Sequence, residues 1–131
     1  MNLKKIFSKK GLTLKYTLST LGNDIILLVG GGKEHIGSVV LAVPRPSLAN
    51  PEKISSTISL LNVVGHKDDE IARPLAEALC IASNRSVVVI VGIHYDNLNS
   101  EDIKIIQILN EQAKEKIKDW IKELGKKGTY K

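Results

Sequence analysis

The chain has 131 residues, of which 43% are hydrophobic, and it carries a formal net charge of +5 at neutral pH. This length and composition suit one domain with its own hydrophobic core, so we expect a single domain over residues 1–131. The one cysteine, Cys80, excludes an internal disulfide and fits a reducing compartment. No apolar run approaches the ~20 residues of a membrane span, and the N-terminus does not have the pattern of a signal peptide. We therefore expect a cytoplasmic protein without a membrane partner.

The positive charge is concentrated at the two ends of the chain. Residues 1–15 hold five lysines and no acid, and residues 114–131 hold seven lysines against three acids. The chain has one Phe, one Trp and three Tyr, too few for the stacking surface that single-stranded nucleic acid requires. We interpret residues of about 1–11 and 125–131 as solvated basic tails and predict no nucleic-acid partner. The abundance of Ile, Lys and Glu is compatible with a thermophilic source.

The pattern in the first half of the chain predicts four strands. Residues 12–20 alternate apolar and polar side chains, and residues 24–29 follow after a turn-rich link, which predicts an antiparallel hairpin. A third strand over residues 38–43 is expected to end at Pro44, because proline has no backbone N–H to donate within a sheet. After a loop, residues 54–64 alternate serines with β-branched and other apolar residues and predict the fourth strand.

The second half is predicted to alternate helix and strand. A helix is expected to start near residues 68–70, whose acidic side chains favour the positive end of a helix dipole, with Pro74 in or near its first turn. Residues 86–93 form a continuous apolar run, typical of a central strand buried on both faces. A long helix is expected from about residue 99 to residue 124. Its apolar stripe consists of Ile106, Leu109, Ala113, Ile117, Trp120 and Leu124.

The predicted order of elements is β-β-β-β-α-β-α. Several strands follow one another without an intervening helix, which is typical of α+β rather than doubly wound α/β proteins. We therefore expect an α+β fold with a mainly antiparallel sheet and a long C-terminal helix.

All three histidines lie in short motifs that follow strand-like runs. The motifs occupy residues 30–37, 65–69 and 92–97. Loops held by a rigid scaffold at strand ends commonly carry function, so we expect a ligand site here. Its candidate residues are Gly31, Gly32, Lys33, His35, Gly37, His66, Lys67, Asp68, Arg73, His94 and Asn97.

The chemistry of these motifs leaves several interpretations open. The glycine run before Lys33 could present backbone N–H groups to a phosphate, or it could form a flexible turn. The histidines could share a pocket for an organic or phosphorylated ligand, bind a metal ion together, or have separate loop and capping roles. Arg73 could contact an anionic ligand or form an ion pair with Asp69. We predict no metal ligand, because the spacings of 31 and 28 residues between the histidines are not a local metal motif. We predict no catalytic residue, because the serines lie in a strand and Cys80 is expected to be buried.

The same motifs resemble a known family. The order Gly-Gly-x-x-x-His-Ile-Gly, His-Lys-Asp and Gly-Ile-His is similar to that of the prenylated-flavin chaperone LpdD-like family, the small D subunit associated with bacterial gallate decarboxylase. The resemblance extends from about residue 14 to residue 120. It implies a non-catalytic accessory protein that helps a decarboxylase-type partner acquire or keep prenylated flavin mononucleotide. The positions that match the motif regions are Lys33, His35, His66, Lys67, Arg73 and His94.

The predicted order of elements is also similar to that of the small proteasome-assembly chaperones of the third type, which act as dimers. This is a fold-level analogy. Both resemblances imply an assembly or accessory protein that works by binding, and we expect a protein partner and a homo-oligomer. The alternative is a small enzyme or metal-binding protein that uses the three histidine loops, which would require the imidazoles to meet in one cleft.

Overall fold

A computed structural model describes residues 2–63 and 68–126 of the chain. Within these residues the chain forms six strands and two helices, in the order β-β-β-β-β-α-β-α. The strands are β1 (Asn2–Lys9), β2 (Leu12–Leu21), β3 (Asp24–Gly32), β4 (Ser38–Pro46), β5 (Ile54–Asn62) and β6 (Val87–His94), and the helices are α1 (Asp69–Ser83) and α2 (Ser100–Lys126). Neither helix has a stretch long and apolar enough to cross a membrane in the part of the chain that is described.

The six strands form one sheet in the order β1-β2-β3-β6-β4-β5. Neighbouring strands are antiparallel except β3 and β6, which run parallel. The predicted α+β class, with a mainly antiparallel sheet and a long C-terminal helix, is therefore confirmed. The hairpin of β2 and β3 and the central position of β6 are also as predicted, and Val87, Val89 and Val91 of β6 are fully buried.

The N-terminal segment differs from the prediction, because it forms a strand rather than a basic tail. Strand β1 pairs with β2 over its whole length. Its apolar residues Leu3 and Phe7 pack against the core, and Phe7 contacts Tyr16 edge to face with ring centroids 5.8 Å apart. Lysines suit this position, since charge protects an edge strand from association. At the other end of the chain, residues 127–131 of the predicted tail lie outside the described residues.

Two prolines lie inside regular elements, and one of them, Pro44, departs from the prediction. Strand β4 continues to Pro46 instead of ending at Pro44. It pairs with β6 only up to Ala42, so beyond this residue β4 has one neighbour and tolerates proline. Helix α1 begins beside Asp68 as expected, and Pro74 lies near its first turn, in the second turn of the helix. In that position proline removes one backbone hydrogen bond of the helix.

Both helices cover the same face of the sheet. Helix α1 packs on β4, β5 and β6, and α2 packs on β1 and β2. Alternate residues of the strands point into this core, such as Leu14, Tyr16 and Leu18 of β2. The Tyr16 hydroxyl donates a 2.7 Å hydrogen bond to Asn110 Oδ1 of α2. The predicted stripe of α2 faces the same core, and Cys80 of α1 is buried there as expected.

We call the opposite face of the sheet the open face, because no described element covers it. It consists of the alternate strand residues whose side chains point away from the helices. Many of them are apolar and exposed or half-exposed. The apolar residues of the open face are Ile6, Ile26, Leu28, Val39, Leu41, Val43, Leu61, Val88 and Ile90.

Candidate functional site

The candidate site lies at the edge of the sheet where the parallel strands β3 and β6 end. The last residues of the two strands are paired in register. The chain then passes the end of β6 as a crossover loop, residues 33–37, and reaches β4. The Lys33 N–H donates to His94 O at 2.9 Å, and the Gly37 N–H donates to Val91 O at 3.0 Å. These hydrogen bonds hold the crossover loop against β6.

Glycines make room for the crossover loop on the sheet. A Cβ atom on Gly92 would overlap the backbone of His35, and one on Gly30 would overlap the Glu34 side chain. Gly32 has a φ of +61°, the left-handed conformation that favours glycine. The glycine run is the end of strand β3, paired with β6, and the next N–H, that of Lys33, is bonded to His94 O, so the run forms neither a flexible turn nor a loop that cradles a phosphate.

Two of the three histidines come together at this edge. The His35 and His94 rings are nearly perpendicular, with centroids 6.2 Å apart. His35 Nε2 lies 3.6 Å from Asp68 Oδ2, and His94 Nε2 lies 3.0 Å from Asp96 Oδ1. The Lys33 ammonium lies 3.6 Å from Asp96 Oδ2. We refer to Lys33, His35, Asp68, His94 and Asp96 as the loop cluster.

The two carboxylates of the loop cluster have different surroundings. Asp96 is exposed, and the hydrogen bond with His94, together with the positive charge of Lys33, lowers the pKa of its carboxyl group. Asp68 is buried, and its Oδ1 accepts the Ile93 N–H at 3.2 Å. Its Oδ2 makes no hydrogen bond within the described residues. The positive end of the α1 dipole, which begins beside Asp68, favours a carboxylate there.

Two further glycines of the predicted site lie beside the loop cluster. A Cβ atom on Gly31 would come within 2.8 Å of Thr13 O, and one on Gly37 would overlap the Asp68 carboxylate. Both positions therefore need a residue without a side chain, because neighbouring atoms already fill the space.

The other predicted site residues are not part of the loop cluster. Arg73 is exposed on α1, and none of the ion pairs within the described residues, including any with Asp69, involves it. Asn97 is exposed and has a φ of 59°, which suits a turn. His66 and Lys67 lie outside the described residues. Among residues 2–63 and 68–126, no group of three or more His, Cys, Asp or Glu side chains is placed to hold a metal ion.

Two residues of the site, Tyr95 and Asp96, are absent from the set predicted from the sequence. Asp96 belongs to the third motif, where a carboxylate can orient an imidazole, and it does so for His94. The Tyr95 hydroxyl donates to Thr13 O at 2.7 Å and accepts the Thr13 N–H at 2.9 Å. Tyr95 therefore fixes the segment after β6 to strand β2, although no short-range pattern indicates this contact.

A cavity of about 650 Å³ lies between α1, α2 and the segment after β6. Its size is within the range of small-molecule sites, roughly 300–1,000 Å³. The apolar part of the lining is formed by Ile71, Pro74, Ile93, Leu98, Ile103 and Ile106. The described lining also contains the carboxylates of Asp68, Glu70 and Glu111 but no Lys or Arg. Because Asp68 and His94 line the cavity as well, the cavity and the loop cluster form one continuous site.

A family model described as the prenylated flavin chaperone LpdD-like domain matches residues 8–122. The chain belongs to the prenylated flavin chaperone LpdD-like family. The resemblance that the three histidine motifs indicate is therefore confirmed. The matched residues include the whole loop cluster and the cavity lining. A comparison with curated proteins gives no match.

Solved structures similar to this LpdD-like protein include a chain from the crystal structure of a chaperone complex for yeast 20S proteasome assembly. The two chains are 15% identical with a TM-score of 0.57, and the similarity covers 94% of this chain and 95% of the yeast chain. A likeness at this level of identity shows a shared fold. The predicted fold-level resemblance to proteasome-assembly chaperones is thereby confirmed.

Proposed function

We propose that this LpdD-like protein is a non-catalytic accessory protein that binds a decarboxylase-type partner and helps it acquire or keep prenylated flavin mononucleotide. Membership of the family supports this function at the level of a chaperone. The observation that carries the flavin part is the continuity of the loop cluster with the cavity through Asp68 and His94. A site of this kind offers apolar walls and charged groups to the same ligand.

The residues present suit a flavin whose two ends are held differently. The apolar walls of the cavity fit a flat ring system, and Asp68, which lines the same cavity, places a carboxylate beside it. Within the described lining, a phosphate inside the cavity would meet three carboxylates and no Lys or Arg. The loop cluster supplies the Lys33 ammonium outside the cavity, and we assign the phosphate to that side. When bound, the group would supply the partner's chemistry, and this chain would only hold it.

The contacts proposed for this ligand are those of Lys33, His35, Asp68 and His94. Gly32 and Gly37 support them by their close approach to His94 O and to the Asp68 carboxylate, and Gly31 by its close approach to Thr13 O of β2. Roles for His66, Lys67, Arg73 and Asn97 stay predictions from the motifs. We also propose that the protein acts in the cytoplasm as a homo-oligomer.

The fold shared with a proteasome-assembly chaperone supports a second candidate function. In this alternative the protein promotes assembly of a protein complex through its surfaces and binds no flavin. The two candidates differ in their response to flavin. We therefore choose flavin binding by the isolated protein as the first experiment.

The test is a fluorescence titration of the purified protein with FMN and, separately, with riboflavin, which has no phosphate. We expect both flavins to bind, because the cavity accepts the ring. Replacing Lys33 with Ala should weaken FMN binding about fivefold, the effect of one exposed ion pair, and leave riboflavin binding unchanged. The matched control is Lys53→Ala, which removes an exposed lysine from the loop between β4 and β5.

A second variant tests the cavity itself. Leu98→Trp places a larger side chain on the cavity wall and should weaken both flavins alike. If neither flavin binds the unmodified protein at millimolar concentration, flavin handling is wrong and the assembly candidate is favoured. If Lys33→Ala and Lys53→Ala have the same effect, the assignment of the phosphate to Lys33 is wrong.

A further inference from the structure

The open face carries two continuous rows of apolar side chains. In the first row, Leu28 of β3, Ile90 of β6, Val39 of β4 and Leu61 of β5 are neighbours in register across four strands. The second row joins Ile26 of β3, Val88 of β6 and Leu41 of β4 in the same way. Within these rows Leu28 is 44% exposed and Leu61 is 74% exposed. Monomeric soluble proteins rarely leave a continuous apolar surface of this extent uncovered.

We propose that the open face is the interface of a homodimer in which two copies of this chain stack sheet against sheet. The inference deepens the proposed homo-oligomer by naming its interface. It does not require that flavin binds. Stacked sheets pack about 10 Å apart with their inner side chains interdigitating, which is how branched residues such as Leu41 and Val88 are buried in two-layer β proteins.

The size of the open face matches what a stable dimer needs. Six strands of eight to ten residues form the face. A spacing of ~4.8 Å between strands and a rise of ~3.3 Å per residue give about 600–800 Å² on each copy. A stable protein interface buries about 800 Å² on each partner, so the whole face suffices and a small part of it does not.

Shape favours a second copy over an unrelated partner. A twisted sheet packs best against another sheet of the same twist, and a second copy brings that twist by definition. A two-fold axis then places the same apolar rows on both sides of the interface, which makes the surface complementary to itself. This arrangement gives an apolar centre surrounded by polar strand residues, such as Thr17 of β2 and Ser59 of β5.

The charges on the open face also permit self-association. Neither apolar row contains a charged residue. The cations lie at the margins, with Lys4 on the edge strand β1 and Arg45 near the end of β4, where its Nε donates to Thr57 Oγ1 at 3.0 Å. Lys15 is neutralised by Glu34, whose Oε1 lies 2.9 Å from its ammonium. Two copies can therefore meet at their centres without burying like charges.

Stacking has a consequence for the candidate site. The open face contains a hollow of about 530 Å³ beneath the crossover loop, lined in part by Leu28, Glu34, His35 and Ile36. A second copy would cover this hollow, so that His35 would lie beside the dimer interface while its partner Asp68 lines the cavity between the helices. The loop cluster would then lie at the margin of the dimer.

The test is the molar mass of the unliganded protein, measured by light scattering after size exclusion and by sedimentation equilibrium. We expect twice the chain mass of 14.3 kDa. Leu28→Lys should raise the dimer dissociation constant by at least about a hundredfold, because a symmetric interface contains the substitution twice. The matched control is Ile108→Lys on α2, since Ile108 has the same exposed fraction, 44%, on the other side of the molecule. This control should stay dimeric.

A second pair of variants guards against failure to fold. Leu41→Lys on the open face and Ile81→Lys on α1 replace residues that are 38% and 39% exposed, and circular dichroism shows whether each variant is folded. A monomeric wild-type protein at about 0.5 mM, far above the Kd of a stable dimer, would overturn the proposal. So would a dimer that survives Leu28→Lys and Leu41→Lys, or binding of a different protein to the open face of a monomer. No flavin enters these measurements, so their failure is distinct from the failure of flavin binding.

Discussion

At the scale of single residues, the site depends on glycines, which have no side chain and so allow two backbone segments to lie close together. The crossover loop lies so close to β6 that the His35 backbone occupies the space of a Cβ on Gly92. This contact places the two imidazoles 6.2 Å apart and holds His35 beside Asp68. Glycine at residue 92 is therefore required by the close approach of two backbone segments, although its own backbone is an ordinary strand.

We predict that Gly92→Ala destabilises the protein by about 1–3 kcal/mol, the usual cost of forcing an extra group into a packed position. The loop backbone would have to shift, since the atom it meets is backbone and not a flexible side chain. Urea denaturation measures the change. Gly22→Asn is the control, because Gly22 has a φ of +61° in open space and Asn accepts that conformation. Equal destabilisation by both variants would contradict this account.

The two partners of Asp96, His94 and Lys33, are expected to lower the pKa of its carboxyl group to different extents. The hydrogen bond with His94 is the main cause of its lowered pKa, and the charge of Lys33 is the next. His94→Ala should therefore raise the pKa of Asp96 more than Lys33→Ala does, and Lys53→Ala should not change it. Carbon-13 NMR titration of the carboxyl group measures all three.

The sign of the linked pH effect follows from the lowered pKa. The carboxylate of Asp96 favours the folded state at pH values above its unfolded pKa, about 3.9, and this contribution is lost as the pH falls through the lower folded value. Asp96→Asn should remove this part of the acid destabilisation. If the free energy of unfolding falls with acid pH in Asp96→Asn as much as in the wild-type protein, the pairs of Asp96 with His94 and Lys33 do not persist in solution.

Much of the site could be predicted from residue types near strand ends. Lys33, His35, Asp68 and His94 are candidates from the sequence because each lies in a motif that follows a strand-like run, where loops commonly carry function. Their pairing could not be predicted, since it depends on how the crossover loop lies across β6. Tyr95 shows the same limit, because its partner Thr13 is 82 residues away in the sequence.

At the scale of elements, tertiary packing outweighed the local preference of the sequence in β1 and in α1. The lysines of β1 indicated a solvated tail, but the alternation of Leu3 and Phe7 with polar residues was sufficient to add a strand to the sheet edge. In α1, Pro74 is expected in or near the first turn, because in the first turn its missing N–H has no cost. It lies in the second turn, where packing of α1 on the sheet outweighs one lost hydrogen bond.

We predict that Pro74→Ala stabilises the protein by about 1–3 kcal/mol, because the alanine N–H can donate to the carbonyl of Glu70 and the ring clash is relieved. Thermal unfolding monitored by circular dichroism measures the gain. The control is Ala82→Gly in the last turn of α1, which should destabilise the same helix by about 1 kcal/mol. A loss of stability in Pro74→Ala would mean that contacts of the proline ring with the cavity wall outweigh the helix hydrogen bond.

At the scale of the whole molecule, local patterns sufficed for the α+β class, the central position of β6 and the long C-terminal helix. These local patterns did not predict the order of the strands within the sheet. The hairpins β2–β3 and β4–β5 each join neighbours in the chain, whereas β6 pairs with residues of β4 and β3 that are 45 to 62 positions away in the sequence. Sequence patterns report periodicity within a segment, and they do not report which distant segment lies beside it.

The insertion of β6 between β3 and β4 has a consequence for how the protein forms during synthesis. Strands β1 to β5 all leave the ribosome before β6, but β3 and β4 have no hydrogen bonds to each other, so the early strands remain two separate sheets. Strand β6 is made last and pairs with both of these sheets, which joins them into one. The nascent chain therefore exposes apolar strand edges until Val87–His94 is made, and this interval is the period in which a newly made chain is most open to aggregation.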